Sequence, residues 1–161
     1  MRGSVLRVDV LAVLRDLKSD AQIRLTVLGG ATPAQVTEAE ARLGLQFPED
    51  YRRFLTAFGA AEVGGRGLFG LGSDLNTLGG LNVVWHTEEA RRLRGLAGGS
   101  LVLSAWDDLT LEVAQVLDHQ GQPIDGPVAE LLVEGPGEQL APSFSRWLER
   151  TVHEVREDHV D

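Results

Sequence analysis

The sequence predicts an α+β fold: a single domain in which helices pack on a mainly antiparallel sheet. Apolar residues recur at helical spacing in the first half of the chain, short Leu- and Val-rich segments separated by turn residues follow, and a last amphipathic stripe closes the sequence. This order of elements is typical of an α+β architecture. Because 161 residues are too few for two domains of ordinary size, we expect one domain over 1–161 with its core over about 30–156.

The first 94 residues contain four of the five predicted helices. The first is indicated by an apolar stripe that consists of Leu6, Val10, Leu14 and Leu17. The following segment QIRLTVLGG is expected to be a short strand or an extended stretch. A second helix is predicted over about 33–43. Thr32 is a good N-cap for it, Pro33 suits the first helical position, and Gln35 completes a capping box. Gly44 supplies the stop.

A third helix is expected to start at Phe47-Pro48, because proline is favoured in the first turn, and to end near Phe58 before Gly59. Its aromatic stripe has the spacing of core residues and comprises Tyr51, Phe54, Leu55 and Phe58. The glycine-rich stretch 64–73 predicts a turn and a short strand with close backbone approaches. A fourth helix is predicted over about 81–94.

After the fourth helix, the spacing of the apolar residues changes from that of helices to that of strands. The segments LVLSAWD, LTLEVAQVLD and PVAELLVEG are short and rich in Leu and Val, and turn sequences separate them. They predict an antiparallel meander. A last helix is expected to start at Pro142 or Ser143, and its apolar stripe consists of Phe144, Trp147, Leu148, Val152 and Val155.

The net charge of -9 is carried by the second half of the chain. Residues 1–80 hold nine acids and nine bases, whereas residues 95–145 hold eight acids and neither Lys nor Arg. Such a surface repels nucleic acid and anionic membranes, whose recognition needs clustered basic residues. It attracts a basic protein. The alternative is an acidic surface that only keeps the protein soluble.

The sequence predicts no enzyme, cofactor or metal site. It has no cysteine, and the glycines at 64–70 lack the GxxxxGK[ST] pattern of a phosphate-binding loop. The histidines are isolated, and His153 and His159 lie about 240° apart around a helix. A Ser-His-Asp triad stays open, because triads assemble across a fold, but no GxSxG elbow is present. With no signal peptide or membrane span predicted, we expect a cytoplasmic protein.

The predicted meander supplies the candidate binding residues. Trp106 lies next to two acids at a strand end, where it is either a core residue or an exposed anchor of an interface. The adjacent acids are typical of a turn, with acid–base catalysis as the alternative. We predict a partner-binding surface that comprises Trp106, Asp107, Asp108, Glu112 and Asp118.

The stretch TPAQVTEAEARLGLQFPEDYRRFLTAF, residues 32–58, resembles the signature of the SUKH superfamily. That superfamily includes fungal Smi/Knr-type regulators of cell-wall synthesis and many bacterial immunity proteins. The shared features are a Thr-capped helix with an acid, a Leu-Gly pair, a Phe-Pro-Glu-Asp-Tyr segment and a Phe-Leu pair. The helix that starts near Phe144 is similar to the closing element of the family. On this resemblance the structural signature residues are Glu40, Pro48, Tyr51, Phe54, Phe144 and Trp147.

The resemblance implies a binding role without shared catalytic residues. Bacterial members are antidotes that bind and neutralise a toxin domain, often a nuclease or deaminase, and an acidic surface suits a basic nuclease. The fungal members suggest the alternative, a housekeeping adaptor or regulatory module without a toxin partner. Because the family varies its partners widely, the fold cannot name the target.

Overall fold

The structure, a computed structural model, describes residues 9–17, 19–20, 22–107 and 109–158. Within these residues the chain forms five helices and two antiparallel sheets, which confirms the predicted α+β fold. The helices are α1 (Val10–Leu17), α2 (Pro33–Leu43), α3 (Glu49–Phe58), α4 (Val83–Arg94) and α5 (Phe144–Asp158). The strands are β1 (Leu25–Val27), β2 (Ala61–Val63), β3 (Arg66–Leu68), β4 (Ser100–Ala105), β5 (Leu111–Gln115), β6 (Val128–Leu132) and β7 (Gly135–Ala141).

The described strands form a small sheet and a larger one. The small sheet has the order β1-β2-β3, and the larger sheet is a meander with the order β4-β5-β6-β7. On the larger sheet, Glu112 of β5 lies opposite Ser104 of β4 and opposite Glu130 of β6. The N–H of Phe69, directly after β3, donates a 2.8 Å hydrogen bond to the carbonyl of Leu103 in β4. This bond brings the two sheets together at β3 and β4.

Helix α2 has the ends that the sequence predicts. The Thr32 hydroxyl accepts a 3.1 Å hydrogen bond from the Gln35 N–H, and the Gln35 side-chain oxygen accepts a 2.8 Å bond from the Thr32 N–H. This reciprocal capping box satisfies backbone donors that a helix start leaves unpaired. At the other end Gly44 has a φ of 69°, the left-handed conformation that glycine adopts most easily.

Apolar residues from all five described helices and from both sheets form the buried core. Helix α1 contributes Val10, Leu14 and Leu17, which are 2%, 0% and 0% exposed. The predicted stripe of this helix is therefore confirmed for these three residues, while Leu6 lies outside the described part of the chain.

The aromatic centre of the core joins α3 to α5. The ring of Tyr51 packs edge-on against Phe144, with centroids 5.0 Å apart, and stacks with Phe54 at 5.8 Å. Phe144 in turn contacts Trp147 at 5.9 Å. The buried Tyr51 hydroxyl donates a 2.7 Å hydrogen bond to the Phe69 carbonyl, and burial raises the pKa of this hydroxyl well above its usual value. The predicted aromatic stripe is core packing.

The backbone at the C-terminal end of α3 and the backbone after β3 lie too close together to leave room for side chains between them. A Cβ on Gly70 would lie 1.9 Å from the carbonyl oxygen of Gly59, and Gly59 has a φ of 75°. Both positions therefore require glycine. The predicted close backbone approach in the glycine-rich stretch is confirmed, and it sets β3 against the end of α3.

Strands β2 and β7 differ from the sequence prediction, which places no strand at either segment. The sequence of β7 begins Gly135-Pro136-Gly137, residues that are depleted in strands. β7 is an edge strand of the larger sheet, where the missing N–H of Pro136 is tolerated. β2 has three residues, too few for a periodic pattern to be recognised.

Candidate protein-binding site

Strand β5 turns its charged residue towards the core. Glu112 and Ala114 are buried, whereas Leu111, Val113 and Gln115 are only half-buried. In a sheet with one solvated face, the apolar positions normally face the core and the polar positions face water. The pattern in β5 is the reverse. The core side of this strand carries a carboxylate, and its outer side carries Leu111 and Val113.

Arg66 of β3 neutralises the buried carboxylate of Glu112. The Arg66 Nη2 lies 2.5 Å from the Glu112 Oε1, and the two side chains are 10% and 7% exposed. The indole N–H of Trp147 donates a 2.9 Å hydrogen bond to the same oxygen. A buried carboxylate needs such partners to stay charged. The prediction that Glu112 belongs to an exposed binding surface is therefore wrong, because its carboxylate is committed to contacts within the fold.

Trp106 is the exposed aromatic residue of this region. Trp106 is 59% exposed. Its backbone N–H donates a 2.9 Å hydrogen bond to the Thr110 carbonyl across the β4–β5 turn. The guanidinium carbon of Arg66 lies 4.8 Å from the centre of the indole ring, within the range of a cation–π interaction. Of the two interpretations of Trp106, the core residue is excluded. The indole is presented to solvent and held from one side by Arg66.

A cleft of about 260 Å³ lies beside Trp106, between the β2–β3 turn and the end of α5. Arg66 and Asp158 line it, and Glu154 approaches Arg66 with its Oε2 3.6 Å from Nη1. The Nε of Arg66 is buried and has no hydrogen-bond partner within the described residues. The cleft thus combines an aromatic side chain, a guanidinium and carboxylates.

Asp107 and Asp118 stabilise the turns at the two ends of β5. One carboxylate oxygen of each accepts two 2.8 Å hydrogen bonds from backbone N–H groups of its own turn. These contacts confirm the predicted turns. The five residues of β5 separate the two acids by roughly 17 Å along the strand. The predicted surface residues therefore do not form one patch: Trp106 and Asp107 lie at one end and Asp118 at the other. Asp108 lies outside the described residues.

The signature residues lie at the junction of α2 and α3 and in the aromatic core. The Oε2 of Glu40 accepts 2.7 Å hydrogen bonds from the Phe47 N–H and from the Arg52 guanidinium. Glu40 thus holds the end of α2 against the start of α3. Pro48 occupies the N-cap, one residue before the helix begins at Glu49, and not the first turn that the sequence predicts.

Other titratable groups are part of the packing. The ring of His86 stacks on Phe69 with centroids 3.8 Å apart, and its Nε2 lies 2.8 Å from the Gly80 carbonyl. Burial lowers the pKa of His86. Within the described residues, no group of three or more His, Asp and Glu side chains is arranged to hold a metal ion. None of the helices in that part of the chain has both the length and the apolar character of a membrane span.

Arg66 is the residue of this site that sequence reasoning missed. It is an isolated base at the start of the short strand β3, within a glycine-rich stretch, and its partner Glu112 follows 46 residues later. Only the pairing of the two sheets brings them together. The signal in the sequence is Glu112 itself, an acid between the apolar Leu111 and Val113 of a short strand.

The described helices and the two antiparallel sheets define an α+β domain of the SUKH type. The family model SUKH_5, described as SMI1-KNR4 cell-wall, matches residues 10–153. The chain belongs to this family, which confirms the resemblance predicted from the sequence. A comparison with curated proteins finds no match to the chain.

Proposed function

We propose that this protein is a non-enzymatic, cytoplasmic binding protein of the immunity type, which neutralises a basic, nuclease-like toxin through an acidic surface. The observation that carries the proposal is Trp106, 59% exposed beside Asp107 within a segment, 95–145, that holds eight acids and neither Lys nor Arg. Exposed tryptophans are frequent anchors of interfaces. Exposed acids attract a basic partner and speed its capture.

The buried Glu112 and its partner Arg66 have a supporting role in this proposal. Their ion pair fixes the guanidinium on which Trp106 lies, so the anchor loses little rotamer freedom when a partner binds. Membership of the SMI1-KNR4 family supports a protein-binding role. Asp107 and Asp118 remain proposed contact residues, and Asp108 rests on the sequence alone.

The test is binding to the product of the neighbouring gene in the native host, measured at low and high ionic strength. Trp106→Ala is expected to weaken binding by about 2 kcal/mol, roughly thirtyfold, because truncation of an anchor residue to alanine typically loses this much binding free energy. Leu78→Ala, which truncates a side chain that is 81% exposed in the loop before α4, is the matched control. Unchanged affinity of the Trp106 variant would remove the anchor from the proposal.

The second candidate is a housekeeping adaptor or regulatory module without a toxin partner, in keeping with the cell-wall description of the family. Gene neighbourhood distinguishes the two candidates. A large multidomain toxin gene beside this gene favours the immunity protein, and an isolated gene favours the adaptor.

A further inference from the structure

The outer face of β5 and β6 carries apolar side chains in facing pairs. Leu111 lies opposite Leu131, and Val113 lies opposite Ala129, and all four residues are only half-buried. An antiparallel sheet with one face in water usually has polar residues on that face. The apolar outer face therefore departs from the rule, and it does so on the strand that buries Glu112 instead.

The apolar row continues beyond the ends of the two strands. Leu109 and Val133 lie in the turns next to β5 and β6, two residues from Leu111 and Leu131, and they are 62% and 61% exposed. Arg94 of α4 reaches this edge, where its Nη1 donates hydrogen bonds of 2.9 Å and 3.4 Å to the carbonyls of Leu109 and Leu131. The helix end thus borders the row but leaves its last two side chains in water.

The same face forms a groove of about 420 Å³. Val113 and Ala129 lie in it together with two prolines, Pro127 and Pro136, and Asp118 lies at its end. The groove shares no lining residue with the cleft beside Trp106. The two features are separate surfaces.

The charge around the groove indicates what can cover it. Asp118 lines the groove and Glu134 is exposed beside Val133, while Arg94, a base at this edge, is engaged with the carbonyls of Leu109 and Leu131. An apolar centre with a charged rim is the usual anatomy of a protein interface. A second copy of the chain would bring the same acids together, which is unfavourable, whereas a basic partner would pair with them.

The reversed pattern of β5 supports a functional reason for this face. Leu111 and Val113 are half-buried and pack only partly against the core. The opposite orientation of the strand would bury them further and bring Glu112 to a half-buried position, without the need for a buried ion pair. Positions where the local pattern conflicts with the fold are often functional sites, where the cost to stability is offset by binding.

We infer that the outer face of β5 and β6 is a docking surface for a basic partner protein that presents apolar side chains between Lys or Arg residues. This inference rests on the proposed function and names the face that carries it. The partner covers the row from Leu109 to Val113 and pairs with Asp118 and Glu134.

The experiment uses the full chain and a synthetic peptide of alternating Leu and Lys as the probe, followed by amide chemical shifts in NMR. Matched peptides of alternating Leu and Ser and of alternating Leu and Glu are the controls. The Leu-Lys peptide is expected to shift the amides of Val113, Ala129 and Leu131, and the Leu-Glu peptide is expected to shift none of them. Val133→Lys should lower the affinity for the Leu-Lys peptide about tenfold, since the substitution removes apolar area and its charge repels the lysines of the peptide. Leu78 is 81% exposed and lies away from the sheet, and Leu78→Lys should leave the affinity for this peptide unchanged.

Three results would overturn the inference. If the Leu-Lys peptide shifts only Trp106 and its turn, the outer face is not the docking surface, while the basic partner of the proposed function stands. If the Leu-Ser and Leu-Glu peptides shift the amide signals of the outer face as much as the Leu-Lys peptide does, charge does not select the partner. The basic partner of the proposed function is then contradicted. If sedimentation shows that the free protein associates with itself and Val133→Lys abolishes this, the occupant of the face is a second copy.

Discussion

The indole N–H of Trp147 on α5 donates a 2.9 Å hydrogen bond to the Glu112 carboxylate on β5. This contact joins the closing helix of the domain to the core side of the larger sheet. Because Arg66 pairs with the same oxygen, three elements that are distant in sequence meet at one buried carboxylate. Glu112 therefore acts in the scaffold, and the exposed residues around it are left to act in binding.

Removal of the Glu112 carboxylate is expected to destabilise the fold. Glu112→Ala leaves Arg66 without its main partner in the core, and the loss of one member of a buried ion pair costs about 3–5 kcal/mol. The measurement is the free energy of unfolding in urea. Glu134→Ala, at an exposed position, is the control and should change this free energy by less than about 0.5 kcal/mol. Equal stability of the two variants would contradict the structural role of Glu112.

Tyr51→Phe should lower the free energy of unfolding by about 1–2 kcal/mol. The substitution keeps the aromatic packing but removes the hydroxyl that donates to the Phe69 carbonyl, which leaves a buried acceptor unpaired. Thr56→Ala removes a hydroxyl at an exposed position of the same helix and should have a smaller effect. If both variants lose the same small amount of stability, the buried hydrogen bond does not contribute as described.

His86 should make stability depend on pH on the acid side. Because burial lowers the pKa of His86 in the folded protein, the unfolded chain binds the proton more readily. Stability is therefore complete above the unfolded pKa, about 6.5, and falls as the pH decreases through the lower folded pKa. Urea unfolding between about pH 7 and pH 5 should show this loss, and His86→Phe should reduce it. His119→Gln, at an exposed turn, should leave the loss in place; a pH profile that is identical in the His86 variant would contradict the assignment.

The elements with strong local signals are those that the sequence predicts well. Helix α2 runs over Pro33–Leu43 as predicted, because Thr32, Gln35 and Gly44 act through neighbours in the chain. The aromatic core between α3 and α5 follows from stripes at helical spacing. In contrast, β7 has Gly and Pro in its sequence, and its strand conformation depends on pairing with β6.

The candidate site is less predictable because it depends on which side of a strand faces the core. A change of one residue in strand alternation exchanges the two faces, and β5 adopts the face that buries Glu112. The sequence contains the acids and Trp106, but the partner of Glu112 lies at the start of β3, in a glycine-rich stretch that carries no signal of its own. Pairing between distant strands, which local patterns do not determine, brings Arg66 to this position.

In the proposed function, acids at the two ends of β5 attract a basic partner. Asparagine replaces Asp107, Asp108 and Asp118 without loss of the side-chain oxygen that accepts backbone hydrogen bonds in the two described turns, so this triple variant changes charge and keeps those turns. Its matched control neutralises three exposed acids elsewhere and therefore has the same net charge. The control consists of Glu38→Gln, Glu62→Gln and Glu157→Gln.

The most direct measurement is the Kd of both triple variants and of the unmodified protein for the product of the neighbouring gene, at low and high ionic strength. The aspartate variant is expected to bind at least about tenfold more weakly at low ionic strength, because each exposed charge pair at an interface contributes a modest amount. This difference should shrink in salt, since exposed charges are screened, and the control should bind like the unmodified protein. Equal affinity of the two triple variants would contradict the claim.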